Sequence, residues 1–269
     1  LSPRIPGVTV NRVAVPDKVV ALTFDDGPHG TLTPRVLDIL RDNNVKGTFF
    51  MQGCNVKAHP QVVRRMVNEG HEVGNHTWNH VYLSKVPREK AESQLQSTNE
   101  AIRNACGVVP VVMRPPGGQR FGFTTVMWDV DTNDWRKPGS SVVAARAVNG
   151  AKPGSIILVH DIHASTVAAV DAIVKGLKNR GYELVTVSEL IRRGRAAAGH
   201  APSMPAAPAV PDSSPLAVPS IVAPGGDCGR HVIPGVFPFP FNPVSLRKPG
   251  YSLPFRSIFP TAPERRLSP

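Results

Sequence analysis

The chain has 269 residues, of which 41% are apolar and 19% charged, and its formal net charge is +11. This apolar share is ordinary for a globular core, which excludes a wholly disordered chain, and no apolar run approaches the roughly 18 residues that span a bilayer. Three cysteines without a CxxC spacing indicate neither a cysteine-rich zinc cluster nor a disulfide framework. We therefore expect one folded domain without a transmembrane segment.

Proline is concentrated in the last part of the chain. Sixteen of the 28 prolines lie in residues 200–269. Proline removes a backbone donor and stops helices, so this composition predicts an extended, low-complexity tail. We divide the chain into an N-terminal extension (residues 1–14), a folded domain (15–193) and a Pro-rich basic tail (194–269).

The tail also carries much of the positive charge. From Arg192 onward there are nine basic and three acidic residues, a net charge of +6. Two interpretations remain open: a solvated segment without a partner, or one that binds an anionic envelope polymer through an attraction that salt weakens. The folded part has no basic motif interleaved with aromatic residues, so we expect no specific nucleic-acid partner.

Strand-like and helical patterns alternate along the folded part. The predicted strands are residues 19–24, 45–51, 71–74, 111–114, 124–130, 155–159 and 183–187. The predicted helices are residues 33–42, 58–69, 88–106, 141–151 and 166–180. This alternation predicts an α/β fold with a parallel sheet and outer helices, and seven strands favour a barrel over an open sheet.

One connection is too short for this scheme. Only nine residues, 115–123, separate two predicted strands, and they include two prolines and three glycines. Parallel neighbours need a crossover of a dozen or more residues, usually helical. We therefore expect either a locally distorted strand order or a tight irregular link.

Five motifs each follow an apolar run. They are Thr23-Phe24-Asp25-Asp26-Gly27-Pro28, His76-Thr77-Trp78-Asn79-His80, Arg114-Pro115-Pro116-Gly117-Gly118, Asp131-Thr132-Asn133-Asp134-Trp135 and Leu158-Val159-His160. Carboxylates, imidazoles and an arginine at the downstream ends of parallel strands predict an enzyme site on one face of the fold.

The order and spelling of these motifs resemble the polysaccharide deacetylases of carbohydrate esterase family 4, the NodB-homology domain. The resemblance implies an irregular (β/α)7 barrel, here with a shortened connection near residues 115–123, where relatives carry a helix. It also implies removal of N-acetyl groups from a chitin-like or peptidoglycan polymer of N-acetylglucosamine. That substrate class implies a secreted or envelope-associated protein.

The second motif predicts a metal site. The i, i+4 spacing of His76 and His80 places two imidazoles on one side of a helical turn, and Asp26 from another strand end supplies a third ligand. Two histidines and one aspartate leave positions open for water and substrate, as in catalytic zinc sites. Zinc is the first choice, with cobalt or nickel as alternatives, because this ligand set discriminates poorly.

The first and third motifs predict the group that activates water. Neighbours in a strand point to opposite sides, so Asp26 binds the metal while Asp25 acts as general base, and the resemblance implies the same roles. It also implies that Arg114 pairs with Asp25 and keeps it ionised. Relatives often carry an aromatic residue at the position of Gly117 and use its backbone amide to bind the reaction oxyanion. Gly117 still offers that N–H group.

The last two motifs predict the general acid. His160 follows an apolar strand and would protonate the departing amine, and the Asp134 carboxylate within hydrogen-bond reach would raise the pKa of His160. Trp135 and Leu158 would line the pocket for the acetyl methyl group, although a plain core role accounts for them nearly as well.

The sequence leaves two other functions open. Two histidines and a carboxylate also form the facial triad of non-haem iron oxygenases, which need neither the Asp25 and Arg114 pair nor the His160 and Asp134 pair. A non-catalytic protein that binds envelope polysaccharide would explain the shortened link after Arg114 and the basic tail.

Overall fold

The computed structural model describes residues 9–118 and 125–199, which form eight strands and seven α-helices. The strands are β1 Thr9–Val10, β2 Val19–Asp25, β3 Thr48–Met51, β4 Glu72–Asn75, β5 Thr125–Val126, β6 Val130–Asp131, β7 Ile156–His160 and β8 Glu183–Val185. The helices are α1 Leu32–Asp42, α2 Gly53–Ala58, α3 Pro60–Asn68, α4 Arg88–Cys106, α5 Ser140–Gly150, α6 Ala164–Asn179 and α7 Val187–Ala197.

Strand β2 lies at the centre of a parallel sheet. It pairs with β7 on one side, and on the other with β3 along its second half and β8 along its first. Strands β4 and β6 extend the sheet beyond β3 and β7. Met113 forms bridges to Asn75 and to Thr125, which links β4 to β5, and β5 pairs with β1. Among the described residues no ladder joins β5 to β6, so hydrogen bonds do not close a barrel there.

Both faces of β2 are buried, which explains its continuous apolar sequence. Val19 and Ala21 belong to an inner cluster with Phe50 of β3 and Ile156 of β7. The alternate residues of β2 belong to an outer cluster with the apolar faces of α1, α3, α5 and α6. The fold is therefore the α/β arrangement with outer helices that the alternating pattern predicts.

The helices differ from prediction at two places. The predicted helix over 58–69 corresponds to α3, which begins at Pro60 because a missing backbone N–H costs nothing at the first helical position, whereas the short helix α2 before it was not predicted. Helix α7 was not predicted, and it continues to Ala197, four residues past the expected domain end at residue 193. The predicted helix over 88–106 coincides with α4.

The predicted strand 124–130 is also divided. Its first part is β5, which pairs with β1, whereas Val130 begins β6, which pairs with β7. From the predicted strand 111–114 only Met113 makes β-bridges. Residues 119–123 of the shortened connection, residue 124 of the predicted strand and the tail from residue 200 onward lie outside the described residues. Within the described part, we find no helix with the length and apolarity to cross a membrane.

Candidate active site

The motif residues meet where the parallel strands end. Asp25 closes β2 and is paired in register with His160, the last residue of β7. His76 follows β4 directly, and Asp26 follows β2. Parallel strands present their carboxyl ends at one edge, so segments far apart in sequence deliver these side chains to one place.

Asp26, His76 and His80 form a group that fits a divalent ion. Oδ1 of Asp26 lies 3.5 Å from Nε2 of His76 and 3.4 Å from Nε2 of His80. Ligand atoms about 2.0–2.2 Å from a tetrahedral zinc ion are about 3.3–3.5 Å apart, so two of the three separations match such a site. All three ligand atoms lie within 4.8 Å of one another.

The two histidines are brought together by a turn, and the prediction of a helical turn was wrong. Thr77 and His80 have positive φ angles of 66° and 60°, which interrupt any helix. The carbonyl groups of Thr77 and Trp78 accept hydrogen bonds from the first N–H groups of α2. The helix start therefore holds the turn in place.

A further contact orients His76. Its Nδ1 lies 2.7 Å from the carbonyl oxygen of Arg114, so Nδ1 carries the proton and Nε2 is left to face Asp26. A carbonyl partner behind a ligating imidazole is the usual way in which proteins fix such a ring.

The alternation of side chains along a strand predicted that Asp25 and Asp26 point to opposite sides, and the structure differs from this prediction. Strand β2 ends at Asp25, and Asp26 has a φ of 76°, so both carboxylates reach the same site. Two side chains unnoticed in the sequence hold Asp26. Gln52 donates to its Oδ1 at 2.9 Å, and Asn55 donates to its backbone carbonyl at 2.8 Å. The signal for Gln52 was its place directly after the apolar strand β3.

The charges around Asp26 favour its ionised form. Burial would raise the pKa of Asp26, but a hydrogen bond from His76 and the charges of His76, His80 and His160 lower it. Burial would likewise lower the pKa of His76, but Asp25 and Asp26 raise it. Protons and a metal ion therefore compete for the same imidazole.

Asp25 and Arg114 form a buried pair. Nη1 of Arg114 lies 2.7 Å from Oδ1 of Asp25, and the relative exposures of the side chains are 0% and 4%. Oδ2 of Asp25 points toward the cluster, 3.9 Å from Nε2 of His76. Arg114 thus occupies one carboxylate oxygen, and the other faces the metal ligands.

His160 is held by Asp134 on the other side of the cluster. Nδ1 of His160 lies 2.8 Å from Oδ1 of Asp134, while Oδ2 accepts from the His160 backbone N–H and the Thr166 hydroxyl. Burial would lower the pKa of His160, but the hydrogen bond and charge of Asp134, with the charges of Asp26 and Asp25, raise it to about 9. The imidazole is protonated at neutral pH, and its Nε2 lies 4.0 Å from Oδ2 of Asp26.

The three residues predicted to contact the substrate have different surroundings. Leu158 is buried and, two residues before His160 in β7, points to the same side of the sheet. Trp135 lies half-buried in a 3₁₀ turn beside Asp134, with the Arg136 guanidinium over its ring. Gly117 has a φ of 65°, in the region that favours glycine.

A buried carboxyl group directly after His160 was missed in the sequence. Asp161 is fully buried, accepts a hydrogen bond from Thr33 at 2.5 Å, and burial raises its pKa to about 7. A Cβ atom at Gly27 would overlap this carboxyl group, which gives the glycine of the first motif a packing role.

The fold and the site define a class of α/β proteins that offer a divalent ion two histidines and one aspartate at the carboxyl ends of parallel strands. The family model described as polysaccharide deacetylase matches residues 12–132. A peptidoglycan-N-acetylglucosamine deacetylase of Bacillus cereus is 41% identical over 191 residues, which cover 65% of this chain and 89% of that protein. The chain belongs to the polysaccharide deacetylase family, carbohydrate esterase family 4.

Two further similarities agree with this assignment. The peptidoglycan-N-acetylglucosamine deacetylase PgdA of Listeria monocytogenes is 40% identical over 195 residues, which cover 70% of this chain and 41% of that protein. This chain therefore spans about two fifths of the length of PgdA. The structure of the peptidoglycan deacetylase PdaC from Bacillus subtilis superposes with a TM-score of 0.65 at 37% identity, covering 68% of this chain and 96% of that one.

Proposed function

We propose that this chain is a metal-dependent hydrolase that removes N-acetyl groups from a polysaccharide containing N-acetylglucosamine and releases acetate. The observation that carries the proposal is the placement of a paired carboxylate, Asp25, and a protonated imidazole, His160, beside the cluster of Asp26, His76 and His80. The names of the relatives favour peptidoglycan as the polymer, with chitin-like oligomers as the second choice.

Asp26, His76 and His80 would hold the ion, with zinc as the first choice and cobalt or nickel as alternatives. The bound ion would supply a positive charge that acidifies water and polarises a carbonyl group. Gln52 and the carbonyl oxygen of Arg114 orient two of the ligands before any ion arrives. The site is therefore organised by its own hydrogen bonds.

Asp25 acts as the general base. Its Oδ2 accepts a proton from the water whose oxygen attacks the acetamide carbonyl carbon, while Arg114 holds Oδ1. The Gly117 N–H group donates to the oxygen that becomes negative during this attack. Leu158 and Trp135 bound the space for the acetyl methyl group.

His160 acts as the general acid. Its Nδ1 proton is held by Asp134, so the proton on Nε2 is the one transferred to the amide nitrogen. The carbon–nitrogen bond breaks as the nitrogen is protonated, and a free amine and acetate leave. The charge of Asp134 keeps this acid protonated before the reaction.

Acetate release tests the proposal. The purified protein is incubated with N-acetylated peptidoglycan glycan and, separately, with tetra-N-acetylchitotetraose. We expect acetate from at least one substrate, its loss in EDTA and its return with added zinc. Turnover that needs iron(II) and a keto acid would instead support an oxygenase, and glycan binding without acetate release would support a non-catalytic binding protein.

We also propose that the protein works in the cell envelope, where the substrate class lies, and that the basic tail contacts an anionic envelope polymer. The support is the net charge of +6 from Arg192 onward. Co-sedimentation with cell-wall preparations should fall as NaCl rises, since salt screens such attraction. Equal binding at low and high salt would contradict this role for the tail.

A further inference from the structure

Tyr82 occupies the space that a side chain at position 117 would need. A Cβ atom built on Gly117 would lie 2.3 Å from Cε1 of the Tyr82 ring and 3.1 Å from Cδ1. The separation of 2.3 Å is far shorter than any carbon–carbon contact, and that of 3.1 Å is tighter than most. The present position of the Tyr82 ring therefore requires glycine at the residue whose amide we assign to the oxyanion.

The ring of Tyr82 stands at the rim of the metal cluster. Its centroid lies 6.2 Å from the centroid of the His80 ring, with 75° between the planes. Lys85 places its ammonium nitrogen 4.9 Å from the centroid, and the buried side chain of Leu83 anchors the same 3₁₀ turn. The aromatic ring thus has a fixed place between a metal ligand and Gly117.

Tyr82 nevertheless remains accessible. It is 39% exposed and is one of four large apolar or aromatic residues that are exposed in the described part of the chain. The other three are valines, so Tyr82 is the one of these four that has an aromatic ring. A pyranose ring presents C–H groups on its faces and hydroxyl groups at its edge, and an accessible aromatic ring at the rim of a polar site suits such a face.

We propose that Tyr82 is the sugar-stacking residue of this site and that it binds a pyranose ring of the N-acetylated glycan so that its acetamide group reaches the cluster. This inference rests on the proposed function and names the side chain that recognises the sugar. The ring of Tyr82 then supplies the aromatic contact that Gly117 lacks. Because Tyr82 contacts the sugar and not the reacting bond, it governs affinity for glycan and not the chemical step.

The test compares Tyr82→Ala, Tyr82→Phe and Val109→Ala. Val109 is an apolar residue that is 54% exposed and precedes the strand segment around Met113, so it controls for loss of exposed apolar surface. Tyr82→Ala should raise KM about tenfold, as expected for loss of one well-packed aromatic contact, with kcat within about twofold. Tyr82→Phe should restore most of the affinity because the ring is kept, and Val109→Ala should match the unchanged protein.

Calorimetric titration with tetra-N-acetylchitotetraose and with peptidoglycan glycan fragments separates this inference from the proposed function. If the unchanged protein binds glycan without releasing acetate, the hydrolase proposal fails, but a tenfold weaker Kd in Tyr82→Ala still supports the stacking role. The stacking role of Tyr82 would be overturned if the folded Tyr82→Ala variant had unchanged KM and Kd values, or if a lower melting temperature were the one effect of the substitution. Absence of both binding and acetate release in the unchanged protein would overturn both.

Discussion

Arg114 places a buried positive charge beside the Asp25 carboxylate, out of contact with solvent. It is fully buried, and its guanidinium donates to Thr23, Asp25 and two backbone carbonyl groups. The guanidinium carbon Cζ of Arg114 also lies 4.3 Å from the centroid of the Phe50 ring. Burial lowers the pKa of Arg114, and the charge of Asp25 opposes that shift. These four hydrogen bonds fix the guanidinium, and the fixed guanidinium holds the Asp25 carboxylate in place.

Asp25→Asn should reduce acetate release by about 10²- to 10⁴-fold, the range that a general base contributes. The amide cannot accept the proton from water, but its size is unchanged, so zinc affinity measured by competition with a chromogenic chelator should stay within a few-fold. Asp131→Asn is the matched control, because Asp131 is exposed and its Oδ1 accepts a hydrogen bond from the backbone N–H group of Asn133. Near-normal activity in Asp25→Asn would exclude Asp25 as the base.

The pH profile of the reaction should reveal the pair of His160 and Asp134. The general acid must be protonated, and Asp134 raises the pKa of His160, so kcat should fall on the alkaline side of the profile as His160 loses its proton. Asp134→Asn removes the charge that raises this pKa, and the fall should move to lower pH by at least about one unit. Each profile is normalised to its own maximum, so partial loss of activity does not affect the comparison. An unmoved alkaline limb would contradict the role of Asp134.

At the scale of helices and strands, the elements that could be predicted are those whose formation depends on a local sequence pattern. The apolar runs that became β2, β3 and β7 were predicted, and so was the meeting of their downstream residues, because parallel strands share an edge. The turn through Thr77 was not predictable, since its φ of 66° is stabilised by contacts with α2. The place of Tyr82 beside Gly117 likewise depends on tertiary packing and has no local signal.

Helix α7 begins with a capping hydrogen bond. The sequence contains the signal for this helix start, although the helix was not predicted. The Thr186 hydroxyl accepts from the Glu189 N–H, and Glu189 lies in the first turn of the helix. Its residues Val187 and Leu190 pack in the inner cluster. The pattern of threonine followed three residues later by glutamate is a helix-start signal. Through Val187 and Leu190 the helix contributes to the core of the described part of the chain.

Thr186→Ala should lower the free energy of unfolding by about 1 kcal/mol, as is usual for loss of a capping hydroxyl. Urea denaturation followed by circular dichroism measures the change in midpoint. Thr186→Ser is the control, because it keeps a hydroxyl that can accept from the Glu189 N–H group. Equal losses in the two variants would show that the capping hydrogen bond does not account for the loss.

At the scale of the whole molecule, the cluster of Asp26, His76 and His80 joins segments that follow different strands of the sheet. Asp26 is delivered by the central strand β2, and His76 and His80 by the turn after β4. Between these strands lies β3, whose following residue Gln52 also holds Asp26. An ion bound by these three ligands would require all of these elements to be in register. Binding of the ion is therefore coupled to folding.

Zinc should accordingly raise the melting temperature of the protein. A ligand at 100 times its Kd that binds the folded state alone adds about 2.7 kcal/mol, which corresponds to roughly 5–11 °C for a domain of this size. His80→Ala removes one ligand and should lose most of this shift, whereas His59→Asn, which alters a histidine outside the cluster, should keep it. Differential scanning calorimetry with and without zinc measures both. If His80→Ala and the unchanged protein gained equal stability, the zinc would be bound elsewhere, and the ligand assignment made from the strand ends would be wrong.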